Sequence, residues 1–172
     1  GQTTFNDGVG GGAGLLGSLT TNGHAQLASA TSDVSTSGDQ TYNDTLDLTS
    51  NRSLNSTGGA GTITFNDNVD GTGNLPVDAT ATGQIAINNA TVTTVNDQIY
   101  TAADMSVGGS VVLTSTAGNL AVNANTEGAG DLTVNVSGGA GTATFNGDIG
   151  NVTDLDALTI NGHTTLNGSV VE

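Results

Sequence analysis

The chain has 172 residues, 27 of them glycine, with one proline, no cysteine and no tryptophan. Sixteen acidic residues against one arginine give a formal charge of −15, a surface that repels phosphate backbones and has no cationic clamp for anionic membranes or polyanionic sugars. Nucleic acid is therefore not expected as a partner; direct membrane insertion is not expected either, since no stretch approaches the roughly 20 apolar residues of a span, and the missing cysteines remove disulfide frameworks and thiolate metal sites.

Along the chain one tetrad, xTxN, returns again and again. It reads TTFN at 3–6, LTTN at 19–22, QTYN at 40–43, LTSN at 48–51 and ITFN at 63–66, then TTVN at 93–96, LTVN at 132–135, ATFN at 143–146, LTIN at 158–161 and TTLN at 164–167. IAIN at 85–88 and LAVN at 120–123 are near variants. Each copy is a fragment of period two: in ITFN, Ile63 and Phe65 share one side while Thr62, Thr64 and Asn66 share the other. The Val, Ile, Thr and Leu content suits strands and argues against disorder. The predicted elements are thus short, half-buried strands.

Each strand stops at its Asn, often followed by Gly or Asp, residues that tolerate the left-handed backbone of a sharp bend. Asn-Gly between strands is also a hairpin signal, which makes an antiparallel sandwich or barrel the competing architecture. Longer echoes favour a repeat: DQTYND at 39–44 returns as NDQIYT at 96–101, and residues 1–28 and 141–167 share the order TFN, turn, LTxNGH, Leu. The turns recur at about 20 residues or multiples of it, with insertions such as GVGGGAG at 8–14, the length of a coil of three short strands and three turns. The expected fold is an all-β parallel solenoid of roughly eight coils stacked at about 4.8 Å, like side chains over like, with apolar ladders inside and Thr and Asn ladders outside or at corners. Pro76 is expected in a turn or at a strand start. No linker or boundary interrupts residues 1–172. The opening Gly1, and the restart of the opening block at 141–172, read as a segment of a longer repetitive polypeptide without a capping element at Gly1 or Glu172.

GDQTYND at 38–44, LTSNRSL at 48–54, GGAGTITFNDNV at 58–69 and LTINGHTTLNGSV at 158–170 resemble the repeats of filamentous-haemagglutinin-like and autotransporter-like surface adhesins of Gram-negative bacteria. The resemblance covers essentially the whole chain and specifies a repeat style. It implies a right-handed parallel β-helix outside the cell, serving as a stalk between a membrane anchor and an adhesive tip.

Candidate sites are few. Asn66, Asn68 and Asp70, followed by Gly71, imitate the first half of a calcium loop, but Val77 stands where the bidentate Glu belongs, so a structural turn is favoured and calcium binding is expected to be weak. GGAG at 58–61 and 138–141 lacks the rest of a calcium-binding nonapeptide. Asp44 with Asp47, and Asp154 with Asp156, read as solvated corners. His24 and His163 both follow Asn-Gly at matching places in two copies of the repeat, which favours a structural role over a metal or catalytic one. Arg52 is alone where a polysaccharide lyase needs cationic clamps, and Phe5, Phe65, Phe145 and Tyr42 occupy inward slots, unlike the platforms of a glycosidase. No catalytic residue and no cofactor is predicted.

The reading is a non-catalytic extracellular rod whose partners are neighbouring repeats of its own polypeptide, with a filament subunit stacking head to tail on identical copies as the alternative. A carbohydrate-binding module lacks an exposed aromatic ledge. An ice-binding face is discounted because the Thr spacings along the chain are uneven.

Overall fold

In the computed structural model, residues 1–11, 14–29, 33–80, 82–137 and 141–170 are described. The GVGGGAG insertion, the second GGAG and Glu172 therefore lie partly or wholly outside the described residues. The described chain contains strands and turns and no helix, and every strand pair is parallel. The hairpin alternative fails on that point. A parallel partner must come from the next coil, since two-residue turns join only antiparallel strands.

Three faces run the length of the solenoid. The first is an eight-stranded sheet of β1 (Thr3–Phe5), β3 (Ala25–Leu27), β6 (Leu46–Leu48), β9 (Val69–Gly71), β12 (Thr91–Thr94), β14 (Ser110–Ser115), β16 (Asp131–Val136) and β18 (Ala157–Asn161). The other two belong to one 11-stranded sheet that wraps a corner. Its second face stacks β4 (Val34–Thr36), β7 (Leu54–Ser56), β10 (Leu75–Asp78), the start of β13 (Gln98–Gly108), the start of β15 (Leu120–Glu127), β17 (Thr142–Phe145) and β19 (His163–Leu166), with Val9 bridging onto Val34. The third face stacks β2 (Leu19–Thr21), β5 (Gln40–Tyr42), β8 (Thr62–Phe65), β11 (Gln84–Asn88) and the ends of β13 and β15, and isolated bridges extend it through Ile149 to Val170. About seven turns of ~22 residues separate the first rung from the eighth, slightly longer than the coil expected from turn spacing.

Alternation decides what is inside. The strands bury every second residue, as in the buried–half-buried–buried pattern of β3 to β7. The inward residues form columns: Ala25, Leu46, Val69, Val92, Leu113 and Val134 on the first face, and Val34, Leu54, Val77, Tyr100, Val122 and Phe145 on the second. These belong to one continuous apolar core, narrow because each coil contributes only a few inward side chains per face. Tyr42 and Phe65, on neighbouring rungs, stack with ring centroids 5.6 Å apart, a favourable offset arrangement.

Pro76 lies inside β10, not at its start. It pairs with Ile99 on one side, while pairing to the preceding rung begins only at Val77. The missing N–H thus falls at the end of a ladder, where proline is tolerated.

Candidate functional site

The chain invests its polar side chains in the corners. At the end of the third face, Asn43 Nδ2 donates to Asn22 Oδ1 at 2.9 Å, Asn66 to Asn43 at 2.7 Å and Asn88 to Asn66 at 2.8 Å. A second ladder closes the second face, where Asn146 donates to Asn123 and Asn167 to Asn146, each at 2.7 Å. A third joins Asn161 to Asn135 at 2.8 Å on the first face. In the QTYN, ITFN, ATFN, LTIN and TTLN copies the tetrad supplies an outward Thr and a corner Asn whose amide bonds the Asn a coil below, whereas Asn51 of LTSN accepts the Asn74 N–H and Thr94 of TTVN is buried.

Placement on three faces corrects one expectation. The TFN phrase puts Phe5 on the first face, Phe65 on the third and Phe145 on the second, so residues 1–28 and 141–167 are out of phase within the coil. His24 precedes a first-face strand while His163 opens a second-face strand; they are not equivalent. The phrase encodes a strand and its corner, and all three corners accept it. Phe65 and Phe145 are buried as expected, and Phe5 packs partly buried at the first rung.

The echo of DQTYND in NDQIYT is a corner module used twice. In residues 36–42, Thr36 Oγ1 donates to Gly38 O at 2.6 Å, and Ser56 Oγ, one rung above Thr36, donates to the same carbonyl at 2.9 Å. Asp39 Oδ1 accepts the Thr62 N–H, Gln40 Nε2 donates across the core to Asn55 O, both at 2.8 Å, and the Tyr42 hydroxyl donates to Gln40 Oε1 at 3.0 Å. Residues 94–100 repeat each contact: Thr94 and Ser115 donate to Asn96 O, Asp97 accepts from Asn119 N, Gln98 donates to Thr114 O, and Tyr100 donates to Gln98. The first copy turns from second face to third and the second from first face to second. Both phenols are buried, which pushes their ionisation far above the ordinary tyrosine range.

Arg52 is buried, and its guanidinium donates to the carbonyls of Leu27 and Asn51 and to Thr49 Oγ1. Desolvation lowers its pKa, offset in part by Asp33. The chain's one arginine is thus a corner plug, turned inward away from any ligand, a role its sequence context did not signal.

The calcium candidates span one corner, from the end of β8 into β9. Asn66 Oδ1 accepts from Asn88 in the corner ladder, Asn68 Oδ1 accepts the Thr91 N–H at 2.8 Å, and Asp70 points outward from β9. Asp47 is not a corner residue; it lies mid-strand on β6, beside Asp70 in the ladder, and His24 Nε2 approaches its Oδ2 at 2.8 Å. Asp44 does sit at a corner, where its Oδ1 accepts the Thr45 N–H, and Asp154 and Asp156 are exposed. Asp47 and Asp70 flank a shallow groove of about 390 Å³ beside Gly71, Thr49 and Thr72. Among the described residues no group of three or more His, Cys, Asp or Glu side chains converges to hold a metal ion.

Compared with protein-family models, with curated proteins and with solved structures, the chain matches none.

Proposed function

We propose that this chain is a non-catalytic structural rod, a stalk or spacer segment of an extracellular bacterial adhesin or surface fibre. The observation that supports it most is where the polar groups go: the Asn ladders and the Asp and Asn acceptors at the corners bond the adjacent coil. Such bonds resist bending and separation of rungs, whereas a catalytic site would converge them on a substrate. The resemblance of the repeats to adhesin repeats supports the surface location.

Stiffness is the property to measure. The chain has no cysteine, so Thr20→Cys and Thr165→Cys carry spin labels at defined sites near opposite ends. A narrow distance distribution, unchanged by viscosity or salt, is the expected outcome. A broad distribution like that of a flexible linker would overturn the rod reading.

A further inference from the structure

One interior corner is short of hydrogen bonds. Among the described residues three buried side-chain oxygens have no partner, and two of them belong to adjacent residues, Thr126 Oγ1 and Glu127 Oε2, at the end of β15. Thr126 points into the core, whereas Glu127 is half-buried and points outward, in one rank with Ser106 and Ala86 of the coils below. Asp104 lies diagonally across the same ladder, opposite Asn125, whose amide donates to Asp104 Oδ1 at 3.2 Å. Strand β15 then ends in a glycine corner, where Gly128 has a φ of 122°. The Gly128 N–H donates to Thr153 O, and Gly130 O accepts the Asp156 N–H, each at 3.1 Å. These two bonds hold residues 153–156 of the next coil against the corner.

We infer that this corner is a pH-sensitive latch, closed while Glu127 carries a proton and loosened when the proton leaves. An oxygen with no accessible surface and no donor can hold a negative charge only against the full penalty of desolvation, and a second carboxylate nearby adds repulsion. Burial accordingly pushes the Glu127 carboxyl above the ordinary glutamate range, and Asp104 pushes it further. The charged groups on the surrounding elements are all acids: Asp104 on β13, Asp131 on β16, Asp148 on the coil above, and Asp154 and Asp156 in and beside the docked segment. No basic residue on these elements can pair with the carboxylate, so the corner relieves the charge by taking up a proton. The folded state binds that proton more tightly than the unfolded chain does. Its contribution is complete below the unfolded value of about 4.3 and is lost as pH rises through the higher folded value. The opening is local, because Gly128 and Gly130 follow the charge directly while the ladders of distant coils do not touch it.

Glutamate occurs twice in the chain, at Glu127 and Glu172, so isotope labelling of glutamate resolves the Glu127 carboxyl by NMR, with Glu172→Gln assigning the pair. The expected result is a Glu127 midpoint well above the ordinary value of about 4.3, matched by a step in amide exchange at Gly128 and Asp156 once the intrinsic rate is divided out. Glu127→Gln, which keeps the shape and cannot ionise, removes the step and keeps exchange slow at neutral pH. Asp104→Asn brings the Glu127 midpoint down toward the ordinary range. Asp70→Asn, which removes the same charge from the first face, changes neither. A Glu127 carboxyl that titrates at its ordinary value overturns the latch, as does an exchange step that persists in Glu127→Gln or vanishes in Asp70→Asn.

Discussion

The hydroxyl of Tyr100 donates to Oε1 of Gln98 at 2.8 Å inside the core, two residues away along the same strand. Gln98 in turn donates to Thr114 O at 2.8 Å and Val92 O at 3.1 Å on the first face, so one strand is tied across the interior to its neighbour. Tyr100→Phe removes one donor and strands a buried carbonyl oxygen, with an expected cost of about 1–3 kcal/mol. Adding Gln98→Leu should recover part of the first pair's loss, and urea unfolding of the double-mutant cycle reads the coupling. Additive losses would show that the pair does not act as a unit.

Alkali is expected to unfold the protein through the same residues. Tyr42 and Tyr100 have folded pKa values raised by burial, so the folded state holds both protons more tightly than the unfolded chain. Their contribution is complete below the unfolded tyrosine value of about 10 and is lost as pH rises beyond it. Phenolate absorbance and loss of circular dichroism should therefore coincide. Tyrosine titrating near its ordinary value in a folded chain would contradict the burial.

Asn43 sits in mid-ladder, donating to Asn22 and accepting from Asn66. Asn43→Ala breaks both bonds at an exposed corner, where the remaining groups can bond water, and should cost about 1 kcal/mol. Asn22→Ala, at the ladder's end, should cost about half as much, since each net bond there is worth about 0.5–1.5 kcal/mol. Equal melting temperatures for both variants and the wild type would mean that the ladder follows the fold without stabilising it.

Thr126 is fully buried in a column between Met105 and Ile149, and its hydroxyl has no hydrogen-bond partner. Thr126→Val keeps the shape and removes the unpaired polar atom, so the variant should be more stable by about 1 kcal/mol. Urea midpoints decide the sign.

Calcium up to the millimolar range is expected to leave the melting temperature unchanged, because the side-chain oxygens of Asn66 and Asn68 already accept hydrogen bonds from the adjacent coil. A rise of several degrees, abolished by Asp70→Asn, would place an ion on these residues after all.

Much of the solenoid is legible before any coordinates. Ile63 and Phe65, or Leu132 and Val134, read as inward pairs from period two alone, and the repeated Asn reads as a corner; both hold. The corner module is visible as the echo of DQTYND in NDQIYT, though its Thr and Ser partners, Thr36 with Ser56 and Thr94 with Ser115, are joined only by stacking across 20 and 21 residues. The burial of Arg52 and the His24–Asp47 contact left no sequence mark, since a charged residue between polar neighbours ordinarily reads as solvated.

The sequence by itself determined that the chain turns after most copies of its Asn-ended tetrad, that its strands are half-buried, and that its surface is strongly acidic, because alternation, turn chemistry and charge are local or summed properties. Only the tertiary structure decided which face each phrase occupies. Coil lengths vary as corners absorb or lose residues, so Phe5, Phe65 and Phe145, alike in sequence, point into the core from three directions, and Thr20, Thr41 and Thr64, unevenly spaced along the chain, fall into one rank. Register in a solenoid is set by the hydrogen bonds between coils, and those form between residues that no local pattern connects.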